Sequence, residues 1–282
     1  MFKAPPMTKP KHSNIIVFAV LAFLLSYGLS FGFQWAVAVH RLPIEGAAAD
    51  LVAKGLAVSG PALAGLTLVW ISRRSAWRWI MDDLRETRFA LWWLGIPVFA
   101  MTITLLAFNL AGAGGSAFPA LLGQLPALLG LFAFHVLVVG LLEELGWRGW
   151  LLRRLLLVRT PLVATLIIAP VWFAWHLPKL LSDGTFAAVF ALGAIVNSTI
   201  LTALWSRFSG RTALSAIAHG SFNAPIYFMA DQFPDADAVR AFSIVVSIYG
   251  LVAIAIIASN WRWWLKDPAG GEDAKLAPAI AA

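Results

Sequence analysis

Cysteine is absent from this 282-residue chain, and charge is scarce: 12% of residues are Asp, Glu, Lys or Arg, against 60% hydrophobic. The first absence excludes disulfides, thiolate metal ligands and a cysteine nucleophile. The second excludes a soluble globular domain, whose charged fraction is roughly 25%. No HExxH helix occurs, which removes the zincin arrangement, and no serine-hydrolase nucleophile elbow is read in the chain. Nor is there an internal repeat of the transporter type.

What the sequence does have is long apolar runs, together with 14 Trp and 19 Phe, rings that favour membrane interfaces. Eight runs approach the length that crosses the roughly 30 Å hydrocarbon layer. They lie at about 14–38, 56–72, 90–111, 120–143, 161–177, 186–206, 212–230 and 240–260. The fold expected is therefore all-α: a polytopic membrane protein of about eight transmembrane helices.

The net charge of +7 does not imply nucleic acid, because the basic residues cluster between apolar runs. Lys3, Lys9 and Lys11 precede the first run, and Arg73, Arg74, Arg78, Arg85 and Arg88 separate the second from the third. Arg148, Arg153, Arg154 and Arg159 follow the fourth, Arg207 and Arg211 the sixth, and Arg262, Lys266 and Lys275 close the chain. That places 17 of 21 on one side, with Arg41, Lys54, Lys179 and Arg240 on the other. Cytoplasmic loops carry such an excess, so both termini are expected in the cytoplasm. The basic start and Ala36-Val37-Ala38 resemble a cleavable leader, but the apolar run between them is long for one, and it is read as an uncleaved first span. Residues 1–13 and 266–282, rich in Pro, Lys, Ala and Gly, read as cytoplasmic tails around one helical membrane domain over 14–265.

Ionisable groups inside a bilayer cost about 2.5–3.5 kcal/mol each and mark function. Three runs carry them. In "LLEELGWRGW", residues 141–150, Glu144 and Arg148 are spaced i,i+4 and share a face, whereas Glu143 lies about 100° away. The reading is that Glu144 and Arg148 clamp a helix end and Glu143 faces a cavity. In "VWFAWHLPKL", residues 171–180, Trp172 and His176 are one turn apart ahead of Pro178. In "AIAHGSFNAP", residues 216–225, His219 and Asn223 repeat that spacing. Convergence of the three on one cavity explains them together. Ser221 points to another face and is not a nucleophile. His135, Asn109 and Asn197 are read as packing or interhelical hydrogen bonds.

Two chemistries fit. In one, Glu143 takes a proton from water with help from His176, and His219 and Asn223 hold the oxyanion formed on an amide carbonyl. In the other, Glu143, His176 and His219 ligate Zn²⁺, which activates the water. Asn223 suits an oxyanion site better than a metal site, so catalysis without a metal is preferred.

These residues resemble the CAAX protease and bacteriocin-processing (CPBP) membrane proteins, relatives of the type II CAAX prenyl endopeptidase. The family motifs EExxxR, FxxxH and HxxxN/D appear as Glu143-Glu144 with Arg148, Trp172 with His176, and His219 with Asn223. Trp172 stands where the pattern has Phe. "EELGWRGWLL" and "WHLP" are similar to a common bacterial branch. The resemblance implies an eight-helix intramembrane protease with its cavity open to the cytoplasm and Glu143 as base. The reaction implied is cleavage near the C-terminus of a peptide or lipid-modified protein at the bacterial plasma membrane. A proton-coupled transporter would need paired broken helices, and a non-catalytic immunity or scaffold protein would show a decayed motif set. Neither feature is present.

Overall fold

Segments that are apolar at every helical phase have no face to turn to water, and each satisfies its backbone groups internally as a helix. The computed structural model describes residues 12–39, 42–72, 75, 77, 79–81, 90–180, 184–208 and 210–268. The expected tails therefore fall largely outside the described residues, as does most of the basic cluster between Arg73 and Arg88. No strand occurs among the described residues. The helices are α1 (His12–Ala38), α2 (Gly46–Ile71), α3 (Ala90–Phe108), α4 (Ala117–Gly123), α5 (Leu125–Leu155), α6 (Pro161–Leu180), α7 (Gly184–Arg207), α8 (Thr212–Gln232), α9 (Ala238–Ser259) and α10 (Trp261–Trp264).

Seven of these are long and apolar enough to cross a membrane: α1, α2, α3 with its extension to Ala113, α5, α6, α7 and α9. The protein is thus an all-helical, multi-pass membrane protein. Of the eight expected spans, α8 falls short on hydropathy and not on length. Its 21 residues, 14 of them buried, reach about 32 Å. It can carry Ser215, His219, Ser221 and Asn223 because it is packed inside the bundle, against α3, α5 and α7. With α8 counted, the chain alternates direction eight times. Both described ends then lie at one face, here the terminal face, and Ala38, Gly46, Leu125, Leu180, Gly184, Gln232 and Ala238 lie at the opposite one.

The fourth span departs most from expectation. It does not stop near residue 143 but runs to Leu155, so Glu144 and Arg148 sit inside a helix and not at its end. The segment "WRGWLLRRLLL", residues 147–157, reads in sequence as amphipathic enough to lie in the membrane interface, yet Leu145 to Leu152 are all buried. Two features explain this. Gly146 lies so close to Pro61 of α2 that a Cβ would collide with it, and Phe18 packs on Trp147 and Trp150 with ring centroids 5.6 and 4.7 Å apart. The arginines beyond reach outward from the helix end, Arg153 to the Gly210 carbonyl at 3.0 Å and Arg154 over the Trp150 ring.

Two apolar clusters divide the interior. One is built from α3, α7, α8 and α9 around Phe108, Leu201, Leu214 and Met229. The other is built from α1, α2, α5 and α6 around Phe18, Trp147, Leu152 and Ile168. The two meet where α5 crosses α8, and glycine makes that crossing tight. A Cβ on Gly220 would stand 2.8 Å from the Val136 backbone, and one on Gly140 would land on the Ala216 carbonyl oxygen. Small residues allow this approach between membrane helices, and it brings the polar groups of α5 and α8 into contact.

Candidate active site

The α5–α8 seam holds four charged or ionisable side chains out of solvent: Glu143 (1% exposed), Glu144 (0%), Arg148 (0%) and His219 (2%). Burial at this level requires partners. Glu144 Oε1 accepts from Arg148 Nη1 at 2.9 Å and from His219 Nδ1 at 2.8 Å. Arg148 Nη2 also donates to Ser198 Oγ of α7 at 3.3 Å. Glu144 is therefore the hub joining α5 to α8, and the Arg148 it positions reaches α7.

Glu143 points elsewhere. Its Oε2 accepts the indole N–H of Trp172 at 2.8 Å and lies 4.0 Å from His219 Nε2. Glu143, Trp172, His176 and Asn223 all line one cavity of about 370 Å³. His176 Nδ1 lies 2.9 Å from the Trp172 carbonyl. A carbonyl only accepts, so Nδ1 carries a proton. Trp175 and Phe190 hold the His176 ring, at centroid distances of 4.6 and 4.8 Å. Ser221 donates back to Ile217 O at 2.6 Å and does not line the cavity. The letters GxSxG do occur once, at Gly28–Gly32. They lie mid-α1 and not at a strand-to-helix turn, and Ser30 Oγ donates to Ala53 O at 3.1 Å, so no nucleophile elbow is formed.

Trp172 stands where the motif has Phe, and its N–H on Glu143 is a contact that Phe at this position could not make. His135, Lys54 and Asn197 line the same cavity, although the sequence placed two of them in packing and Lys54 only in the charge count. For His135 the reason is local. A regular helix turns eight residues through about 80° beyond two full turns, which separates His135 from Glu143 on a wheel. In α5 the stretch His135–Gly140 is π-helical, and the wider turn brings the two onto one wall.

The metal alternative has a geometric requirement. Zinc bonds of about 2.0–2.2 Å place three ligand atoms around one point. Among the described residues no three His, Asp or Glu are grouped to hold an ion, and His219 Nδ1 is engaged by Glu144. Glu143, His176 and His219 share a neighbourhood without forming such a set.

The cavity also has a direction. Glu143, Asn197 and Tyr249 lie near the middle of their helices, whereas Phe31, Lys54, Pro178, Phe190, Tyr227 and Phe242, which also line it, lie toward the opposite face. The cavity thus extends away from the face at which the described ends lie.

No curated protein matches the chain. Residues 124–225 match the family described as Type II CAAX prenyl endopeptidase Rce1-like. That interval holds Glu143, Glu144, Arg148, Trp172, His176, His219 and Asn223, so the polar seam of this membrane protein lies wholly within the stretch that is similar to that family.

Proposed function

We propose that this protein is an intramembrane endopeptidase that hydrolyses a peptide bond near the C-terminus of a membrane-associated peptide or protein, with water activated by Glu143. One observation carries this reading. A carboxylate fixed by an indole N–H stands 4.0 Å from an imidazole nitrogen, on a cavity that a second histidine and Asn223 also line. Glu143 accepts a proton from water as the oxygen attacks the amide carbon, and His176 Nε2 accepts a hydrogen bond from the O–H that stays on that oxygen. Asn223 N–H and the imidazolium Nε2–H of His219 donate to the oxyanion. Collapse breaks the C–N bond, and Glu143 returns its proton to the departing amine. Glu144, accepting from His219 Nδ1, holds the ring in that orientation.

The step needs no metal in this reading. The test is C-terminal peptidomics of membranes holding wild-type protein or Glu143→Gln. New C-termini that appear only with wild type support the reading, and identical peptide sets would end it. Stoichiometric zinc in the active protein, lost with activity on chelation and restored with it, would replace the metal-free step by the ligand set Glu143, His176 and His219.

For orientation we keep the termini in the cytoplasm, because with Arg148 and Lys54 set aside as residues inside α5 and α2 the basic residues still divide 16 to 3 and such asymmetry sets topology. The cavity then opens outward, and the substrates are presented at the outer leaflet of the plasma membrane. A chain without cysteine makes the check clean. Asp235→Cys, in the exposed loop between α8 and α9, is expected to react with an impermeant maleimide in intact cells. Lys275→Cys is expected to react only after permeabilisation. The reverse pattern would put the cavity toward the cytoplasm.

A further inference from the structure

Two buried polar atoms on the wall that α7 and α9 give the cavity take no part in the hydrolytic step. Asn197 of α7 and Tyr249 of α9 both line the space that holds Glu143. Asn197 Oδ1 and the Tyr249 hydroxyl are enclosed, and neither has a hydrogen-bond partner among the described residues. A tyrosine O–H can donate to an asparagine oxygen, yet these two do not bond each other. Buried polar groups are nearly always paired, so two unpaired ones on one cavity wall mark a place that a ligand completes.

Packing fixes both of them. Ser198, the residue after Asn197, accepts from Arg148 Nη2 at 3.3 Å, which sets the rotation of α7. One residue earlier lies about 100° around the helix, and there Asn197 meets the cavity. Tyr249 is 2% exposed, and its ring lies against Phe222 at 4.8 Å and Phe99 at 6.3 Å between centroids. A Cβ on Gly193 would stand 3.2 Å from Val246 Cγ2, and one on Gly250 would stand 3.8 Å from Val196 Cγ2. The two helices thus run side by side in the same direction, with Asn197 and Tyr249 at one height. That height is the middle of each helix, as Glu143 is near the middle of α5.

We infer that Asn197 and Tyr249 hold the backbone of one substrate residue beside the scissile bond. This rests on the peptidase reading above. In an extended chain the N–H and C=O of one residue point to the same side, as in the pairs that antiparallel strands exchange. Asn197 Oδ1 accepts that N–H, and the Tyr249 O–H donates to that C=O. The wall thus serves a peptide as a strand edge would, and it reads the backbone and not the side chains. A fixed donor and acceptor at the depth of Glu143 keep the scissile carbonyl in line with the attacking water. A buried water bridging the two groups is the competing occupant, and the test separates them.

The probe is a fluorescent decapeptide with apolar C-terminal residues, made with all its amides and as a series with one ester each. In that series each peptide N–H in turn is replaced by oxygen. Binding is measured on full-length Glu143→Gln protein in detergent, where no turnover intervenes. Adding Tyr249→Phe is expected to weaken the all-amide peptide about tenfold, as loss of one buried hydrogen bond implies. One ester position should cost a similar factor, and adding Asn197→Ala should remove the effect of that position alone. Without peptide, Tyr249→Phe should melt with its parent, because the hydroxyl it removes has no partner among the described residues. A lower melting temperature would assign that hydroxyl to a structural water and overturn the proposal. An ester series with no single sensitive position would also overturn it, as would a position effect that survives in Asn197→Ala, or a protein that binds none of the peptides. Turnover by wild-type protein is scored separately. Cleavage without a sensitive position leaves the peptidase reading standing and removes the backbone clamp, whereas position-specific binding without any cleavage does the converse.

Discussion

Glu143→Gln is expected to abolish turnover and leave the fold intact, while its neighbour Glu144→Gln is expected to lose about 3–5 kcal/mol of stability. The two carboxylates differ in what they hold. Glu143 faces the cavity and accepts the Trp172 indole N–H. A glutamine amide oxygen can accept that bond equally well, so the variant keeps its packing and loses only the group that takes a proton. Glu144 accepts from Arg148 and His219 through a single oxygen, with all three side chains buried. Its neutralisation leaves the Arg148 guanidinium without the carboxylate it contacts and unlocks α5 from α8. Melting in detergent and turnover of a substrate found by peptidomics read the two effects independently. Equal thermal stability of the two variants would overturn the division of roles.

The second large effect is expected at a residue with no polar chemistry. Gly220→Ala should lower stability by about 3 kcal/mol, the upper range for overpacking a tight interior, and cut turnover more than tenfold. The added methyl stands 2.8 Å from the backbone of Val136, which cannot rotate away as a side-chain tip could. The helices must separate, and His219, the preceding residue, moves off Glu144. Gly130→Ala, on the same α5, is the control. Nothing lies within 4 Å of its added Cβ, and removing a mid-helix glycine stabilises by about 0.5–1 kcal/mol. If Gly220→Ala were as stable and as active as Gly130→Ala, the close crossing would not be what assembles the site.

Both predictions depend on geometry that residue spacing conveys only in part. The i,i+4 pairs were legible from their spacing: Glu144 with Arg148 is a 2.9 Å ion pair even though Leu145–Leu152 is π-helical, and Trp172 with His176 share a face and touch. The link from Glu144 to His219 spans 75 residues, and no local periodicity encodes it. It follows from Gly140 seated on Ala216 and Gly220 seated on Val136 where the two helices cross, and in sequence these are two among 22 glycines. Trp172 shows a different limit. Its place in the motif was readable, but its N–H on Glu143 depends on how α6 is rotated.

By itself the sequence determined the class of molecule and the parts of its site. Apolar length forces membrane helices, because unsatisfied backbone groups are not tolerated in hydrocarbon. Ionisable residues inside such helices then stand out by their cost. Three outcomes were left to the tertiary structure. The continuation of α5 to Leu155 was decided by Gly146 against Pro61 and by the stacking of Trp147 and Trp150 on Phe18, contacts that outweigh an amphipathic appearance. The place of His135 beside Lys54 was decided by a π-helical turn that breaks the regular phase. The direction of the cavity was decided by where helices of alternating polarity leave space between them, a property of the assembled bundle that no single helix carries.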